Sequence, residues 1–251
     1  MSTAAAPFVL LHGWACPTAT WRPVAECLAA LDHRVEVPPL LGYGDGQTIQ
    51  EERAWTLEAA AHDAARVLER LDAPAVVAGH SLGGSVAAAL AAVRPDLVAA
   101  VAFVGMVPVA PSEVTAGRLR RMFLDADGPP SPGDVEACLE AWYRDRPADP
   151  RTVAELEAAF RVPQPVFRGS LRAALTGVPR EVTEKIAVPV GVVLGGGDRT
   201  RPPEEVERLL ADHPEWMRTV VEESGHMVQW EAPDECAAAL IALAGAVPAG
   251  P

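Results

Sequence analysis

The sequence predicts an α/β fold, a mainly parallel sheet covered by helices on both faces. Three observations carry this. Short apolar runs that are near-continuous rather than alternating recur along the 251 residues, as strands buried on both faces require. Stretches with helix-spaced apolar residues separate these runs, and such alternation is how parallel strands are joined. With 49% hydrophobic residues, the chain can fill one substantial core, with material left for an inserted lid.

Taken in order, "FVLLHG" (8–13) is an apolar run ending at glycine, and "HRVEVPPL" (33–40) is a second strand candidate. Leu57, Ala61, Ala64, Leu68 and Leu71 fall on one helix face. "PAVVAGH" (74–80) is a strand, 82–93 a helix, and "VAAVAFVGMVP" (98–108) another strand. "VPVGVVLGGGD" (188–198) is a strand ending in glycines. Prolines in the first turn then favour a helix from Pro202 and Pro203. "RTVVEESGH" (218–226) is the last strand and 233–246 the last helix. Residues 109–182 interrupt the alternation. They contain no clear strand but helical pieces at 119–124, 135–143, 153–160 and 171–175. Ten arginines and eleven acids give this stretch a charge of −1, leaving −12 for the rest. A nearly neutral helical insert reads as a cap (109–182) over a core built from 1–108 and 183–251.

The net charge of −13 argues against a nucleic-acid partner or an anionic membrane surface, because like charges repel. Charges, Gly or Pro interrupt every apolar run before it reaches membrane-spanning length. "MSTAAAPF" lacks the basic and apolar segments of a secretory signal, and the four cysteines are widely spaced with no CxxC. The expectation is a cytoplasmic monomer or homodimer with free thiols, acting on a small molecule. No HxH or HExxH pairing suggests a metal, and "GGG" (195–197) lacks the GK[ST] of a phosphate loop. No cofactor is expected.

The chemistry centres on "GHSLGG" (79–84). A serine hydroxyl needs a general base to become a nucleophile near neutral pH. Gly-x-Ser-x-Gly at a strand-to-helix junction holds the serine, Ser81, on a tight exposed turn, where side chains at 79 and 83 would collide with neighbouring segments. His226, ending the last strand pattern, is the candidate base. Asp198, ending the preceding strand, is the candidate acid, chosen over Asp125 and Asp127 inside the cap. The backbone N–H groups of Leu82 and Trp14 are the candidate oxyanion donors. His12 is read as a structural histidine holding the loop after the first strand, with substrate contact as the alternative; His80 is read as structural and Cys16 as a buried spectator. Met122, Phe123, Trp142 and Phe160 line the pocket or form the core of the cap.

Together, "LHGW" (11–14), "GHSLGG" (79–84), "GGGD" (195–198) followed by "PPEE", and "SGHMVQWEAPDE" (224–235) resemble the α/β-hydrolase superfamily. The likeness is closest to its small capped, cofactor-free branch of esterases, lactonases, carbon–carbon hydrolases and haloperoxidase-like enzymes. The resemblance implies a sheet of about eight strands, a helical cap and a catalytic triad in the chain order Ser81, Asp198, His226. One turn departs from the family pattern: "PLLGYGDG" (39–46) keeps Gly42 and Gly44 but has Pro39, Leu41 and Gly46 at the other places. The expected function is serine-dependent cleavage of a small carboxylic ester, lactone or thioester. The alternatives are the same triad turned to carbon–carbon hydrolysis, lyase chemistry or a biosynthetic step, or a ligand-binding protein on this fold.

Overall fold

The computed structural model describes residues 6–46, 49–201 and 203–248. Pro202 of the expected helix start lies outside them. Six strands form one sheet: β1 (Phe8–Leu11), β2 (Val35–Glu36), β3 (Ala75–His80), β4 (Val98–Val104), β5 (Val190–Gly195) and β6 (Met217–Val221). Their order is β2-β1-β3-β4-β5-β6, and every pairing is parallel. The resemblance implied about eight strands; among the described residues there are six. Each overlaps one of the six expected strands, but β2 is only two residues of 33–40 and β6 ends at Val221, short of the expected 226.

Within each run, successive side chains serve opposite faces. Phe8, Leu10, Ala78, Ala102 and Val104 pack on one face with Val24 and Leu28 of α1 (Arg22–Ala29) and Leu240 of α11 (Pro233–Gly245). Val9, Leu11, Val77, Val101 and Phe103 pack on the other with α2 (Leu57–Leu68) and α3 (Leu82–Val93). In β1, β3, β4 and β5 both faces are mostly buried, so the alternation is invisible in hydropathy; the edge strands β2 and β6 are partly exposed.

Between β4 and β5 lie five helices and no strand: α4 (Glu113–Leu119), continued by a π-helical turn at Arg120–Leu124, α5 (Pro132–Trp142), α6 (Pro150–Ala159), α7 (Gln164–Thr176) and α8 (Arg180–Thr183). Side-chain oxygens cap three of them. Ser112 accepts from the Thr115 N–H, Ser131 shares a reciprocal capping box with Asp134, and Asp149 accepts from the Thr152 N–H. The chain finishes with α9 (Pro203–Asp212), α10 (Val228–Glu231) and α11.

The strand order reverses between β1 and β3, which opens a crevice at their carboxyl ends. Helix α3 is pressed tightly into that junction. A Cβ on Gly83 would lie 2.3 Å from the Leu11 carbonyl oxygen, and one on Gly79 would lie 2.2 Å from the Gly83 carbonyl oxygen. Both obstacles are backbone, so neither can step aside.

Gly83→Ala should therefore destabilise the protein by about 1–3 kcal/mol or more through overpacking. Gly245→Ala, where an added Cβ meets nothing within 4 Å, should stabilise α11 by about 0.5–1 kcal/mol. Urea denaturation of the two variants measures the contrast, and equal effects would contradict the packing described.

Candidate active site

Ser81 occupies the turn between β3 and α3 with φ 50° and ψ −119°, a left-handed backbone that non-glycine residues rarely adopt. Strand β3 fixes the residue on one side and the buried helix α3 on the other. His226 follows β6, and its N–H donates to the Trp142 carbonyl at 2.9 Å. Its Nδ1 lies 2.8 Å from Asp198 Oδ2, in the turn after β5. This carboxylate as acceptor sets the imidazole tautomer with the proton on Nδ1 and Nε2 free. Thr200 completes the arrangement: its N–H and Oγ1 both donate to Asp198 Oδ1 at 2.7 Å, and Oγ1 lies 3.1 Å from His226 Nδ1. Burial alone would raise the Asp198 carboxyl pKa. The His226 charge and the hydrogen bonds from His226 and Thr200 outweigh it and hold the group below the usual carboxylate range.

Ser81 and His226 share the wall of one cavity of about 230 Å³. The hydrogen bonds of the His226 ring run through Nδ1, and none joins it to Ser81 Oγ. Among the described residues, the N–H groups of Trp14 and Leu82 have no protein acceptor. Cys16 also lines the cavity, but burial pushes its thiol up to about 12, with Cys138 adding to the shift. Such a thiol carries almost no thiolate near neutral pH. Among the described residues no three His, Cys, Asp or Glu side chains gather as a candidate metal site.

Of the sequence-derived lining residues, Trp142 does face the cavity. Met122, Phe123 and Phe160 do not. Phe123 and Phe160 hold Trp14 in an aromatic cluster with ring-centroid distances of 5.2 and 5.9 Å, and Met122 packs against the same core. His12 holds the loop after β1, as a structural histidine would. Its Nδ1–H donates to the Gly13 carbonyl at 2.8 Å, and Nε2 accepts from the Leu40 N–H at 2.9 Å, so both ring nitrogens are taken by backbone. His80 lines the cavity edge, and its Nε2–H donates to the His226 carbonyl at 3.2 Å. Burial, reinforced by the neighbouring His226, lowers its pKa well below the usual histidine value.

Several positioning residues escaped the sequence reading. Tyr43 Oη accepts from the Ala15 N–H and lies 3.0 Å from Ser170 Oγ on α7, which pins the loop after β1, where Ala15 has φ 48°. The Glu231 carboxylate gathers four donors: the N–H groups of Gly225, Arg144 and Asp145, and the Ser224 hydroxyl. It thereby ties the His226 loop to the end of α5. The only advance signal was proximity to His226 within "SGHMVQWEAP".

The model of the family described as "Alpha/beta hydrolase family" matches residues 8–239. Protein ABHD8 of Bos taurus is 27% identical over 229 residues, covering 89% of this chain, which spans about half (52%) of that protein's length. A pimeloyl-(acyl-carrier protein) methyl ester esterase of Aromatoleum aromaticum is 28% identical over 252 residues, covering 91% of this chain and 94% of its own. The solved structure of an esterase from Exiguobacterium antarcticum matches with a TM-score of 0.83 at 18% identity, covering 96% of this chain and 92% of that one. At that identity the likeness concerns the fold.

Burial lowers the His12 pKa to about 4, partly opposed by its bond to Gly13. Because the folded value lies below the unfolded one, the unfolded chain binds more protons between the two. Stability is full above about pH 6.5 and falls as pH drops toward 4, by about 3 kcal/mol from this residue. Urea melts at pH 7 and pH 4 should show a smaller acid loss in His12→Gln than in the parent protein; parallel losses would contradict a neutral buried His12.

Proposed function

The chain belongs to the alpha/beta hydrolase family, and on that premise we propose that it is a serine hydrolase of small carboxylic esters, lactones or thioesters, working through an acyl-enzyme on Ser81. One observation carries the reading: Ser81 and His226 share a cavity wall, and His226 is hydrogen-bonded through Nδ1 to the Asp198 carboxylate. The relative named as a methyl ester esterase supports an ester as substrate.

In this reading, Ser81 Oγ attacks the substrate carbonyl carbon and His226 Nε2 takes the hydroxyl proton. The imidazolium forms beside Asp198, which stabilises its charge and holds its orientation. The oxyanion accepts hydrogen bonds from the Trp14 and Leu82 N–H groups. His226 returns the proton to the departing alcohol or thiol as the tetrahedral intermediate collapses. Water then gives its proton to His226 and attacks the acyl-enzyme, the acid leaves, and Ser81 regains its hydrogen. The missing Ser81–His226 contact closes in the substrate complex.

The core comprises 1–108 and 183–251 and the cap 109–182, a division supported by the five helices between β4 and β5 and by Leu119, Trp142 and Leu171 in the cavity wall. The protein works as a monomer or homodimer in the cytoplasm, where its four free cysteines fit a reducing compartment. No helix among the described residues is long and apolar enough to cross a membrane.

Ser81→Ala should lower turnover by about 10⁶-fold with the fold intact by circular dichroism. An organophosphonate should add once, at Ser81 by peptide mapping; a variant keeping a tenth of the activity would sink the nucleophile assignment. Trp142→Ala should alter the acyl chain-length profile, one methylene of fit being worth ~1–3 kcal/mol, without slowing phosphonate labelling. A uniform fall in both would make Trp142 a packing residue.

A further inference from the structure

The charge of the cavity wall is opposite to that of the molecule. The chain has 34 acids against 21 Lys and Arg. Yet the described wall of the Ser81 cavity includes Arg118, Arg199 and Arg201 and no Asp or Glu. Arg118 comes from α4, whereas Arg199 and Arg201 come from the turn that carries Asp198 and Thr200. Their common destination is therefore a product of the tertiary fold.

Arginines can also serve as tethers, and these do so in part. Arg118 Nη2 donates to the Ala137 carbonyl at 3.3 Å, Arg199 Nη2 to the Glu140 and Tyr143 carbonyls, and Arg201 Nη1 to the Val109 carbonyl at 2.9 Å. A guanidinium has five N–H donors. For Arg118 and Arg199 these backbone bonds engage only Nη2, leaving Nε and Nη1 available. Among the described residues no carboxylate pairs with Arg118 or Arg199, both of which are also exposed to solvent. Among those residues, carbonyl oxygens orient the two side chains without neutralising them. The wall also holds the apolar side chains of Leu119, Ala141, Trp142 and Leu175, beside the hydroxyls of Thr115 and Thr200. A cavity that combines a serine, apolar side chains and the Arg118 and Arg199 guanidiniums suits a substrate with three parts: a carbonyl to attack, an apolar spacer and a terminal oxyanion.

We propose that Arg118 and Arg199 form an oxyanion subsite of the Ser81 cavity, and that the substrate is an ester bearing a second, anionic group, a carboxylate or a phosphate, beyond an apolar spacer. This deepens the proposed function and rests on it. Arg201 closes the same wall from the Asp198 turn.

The test compares the monomethyl and dimethyl esters of the same straight-chain dicarboxylic acids. The half-ester should be preferred by about tenfold in kcat/KM, the scale of two part-exposed charge-assisted contacts. The preference should shrink as salt rises. In Arg118→Gln/Arg199→Gln the half-ester to diester ratio should fall toward one, whereas Arg66→Gln, 76% exposed on α2, should leave both rates as they are. A methyl ester ending in a phosphate monoester decides which oxyanion is taken. A diester cleaved as fast as its half-ester, or a preference that survives in the double variant or is insensitive to salt, overturns the subsite and leaves the serine hydrolase standing. The salt dependence is read on the unsubstituted protein, so a misfolded variant does not remove the test. If neither ester is cleaved while phosphonate still labels Ser81, the subsite alone falls. If Ser81 is not labelled either, the hydrolase reading falls with it.

Discussion

The arrangement at Ser81 depends on how closely α3 lies against the end of β1. The Gly83 position comes so near the Leu11 carbonyl that a single methyl group cannot be inserted. That approach sets the start of α3, and with it the strained backbone of Ser81. Strain of this kind costs about 1–3 kcal/mol and persists only where the surroundings over-determine it. Here they do, because Leu82, Val86 and Leu90 of α3 are fully or almost fully buried, each contributing about 1.5–3 kcal/mol to folding. Packing of a small-residue helix thus holds the serine in place, together with the Ser81 N–H bond to the Val104 carbonyl at 3.1 Å.

Three histidines meet around the same crevice, and their surroundings give them different work. His12 and His80 are buried and kept neutral by that burial, each with backbone carbonyls or N–H groups as partners. His226 is as well buried but faces a carboxylate through Nδ1, which leaves Nε2 toward the cavity. The distinction lies in the partner. A ring bonded only to neutral groups fixes the chain around it, whereas one beside Asp198 can take up a proton without being left an unpaired charge.

Much of this was legible in the sequence because it is local. Each of the six apolar runs became a strand, and the Gly-x-Ser-x-Gly spacing named the two positions where backbone crowds backbone. What was not legible depends on distant partners. Nothing near Thr200 or Glu231 announces that each would collect several hydrogen bonds from elsewhere in the chain. The aromatic residues of the insert have similar helix spacing, and only the position of Trp14 decides that Phe123 and Phe160 become its packing while Trp142 reaches the cavity. Helix starts in the insert are less legible for another reason. Apolar spacing marks only a piece of α7, around 171–175, whereas the helix begins at Gln164 next to a proline. Pro, Ser and Asp near helix starts outweigh hydropathy there.

The Trp14 indole has a consequence for motion. Its Nε1 donates to the Phe167 carbonyl at 3.0 Å, and the ring, 5% exposed, touches aromatic residues from α5, α7 and the π-helical turn. Swinging the whole insert away as one lid would leave that indole N–H without its acceptor and wet a large ring, at a cost of several kcal/mol. Helix α4 runs into the same π-helical turn and is also tied to the Asp198 turn, with Thr115 Oγ1 donating to the Thr200 carbonyl. Trp14 therefore pins the insert to the loop after β1.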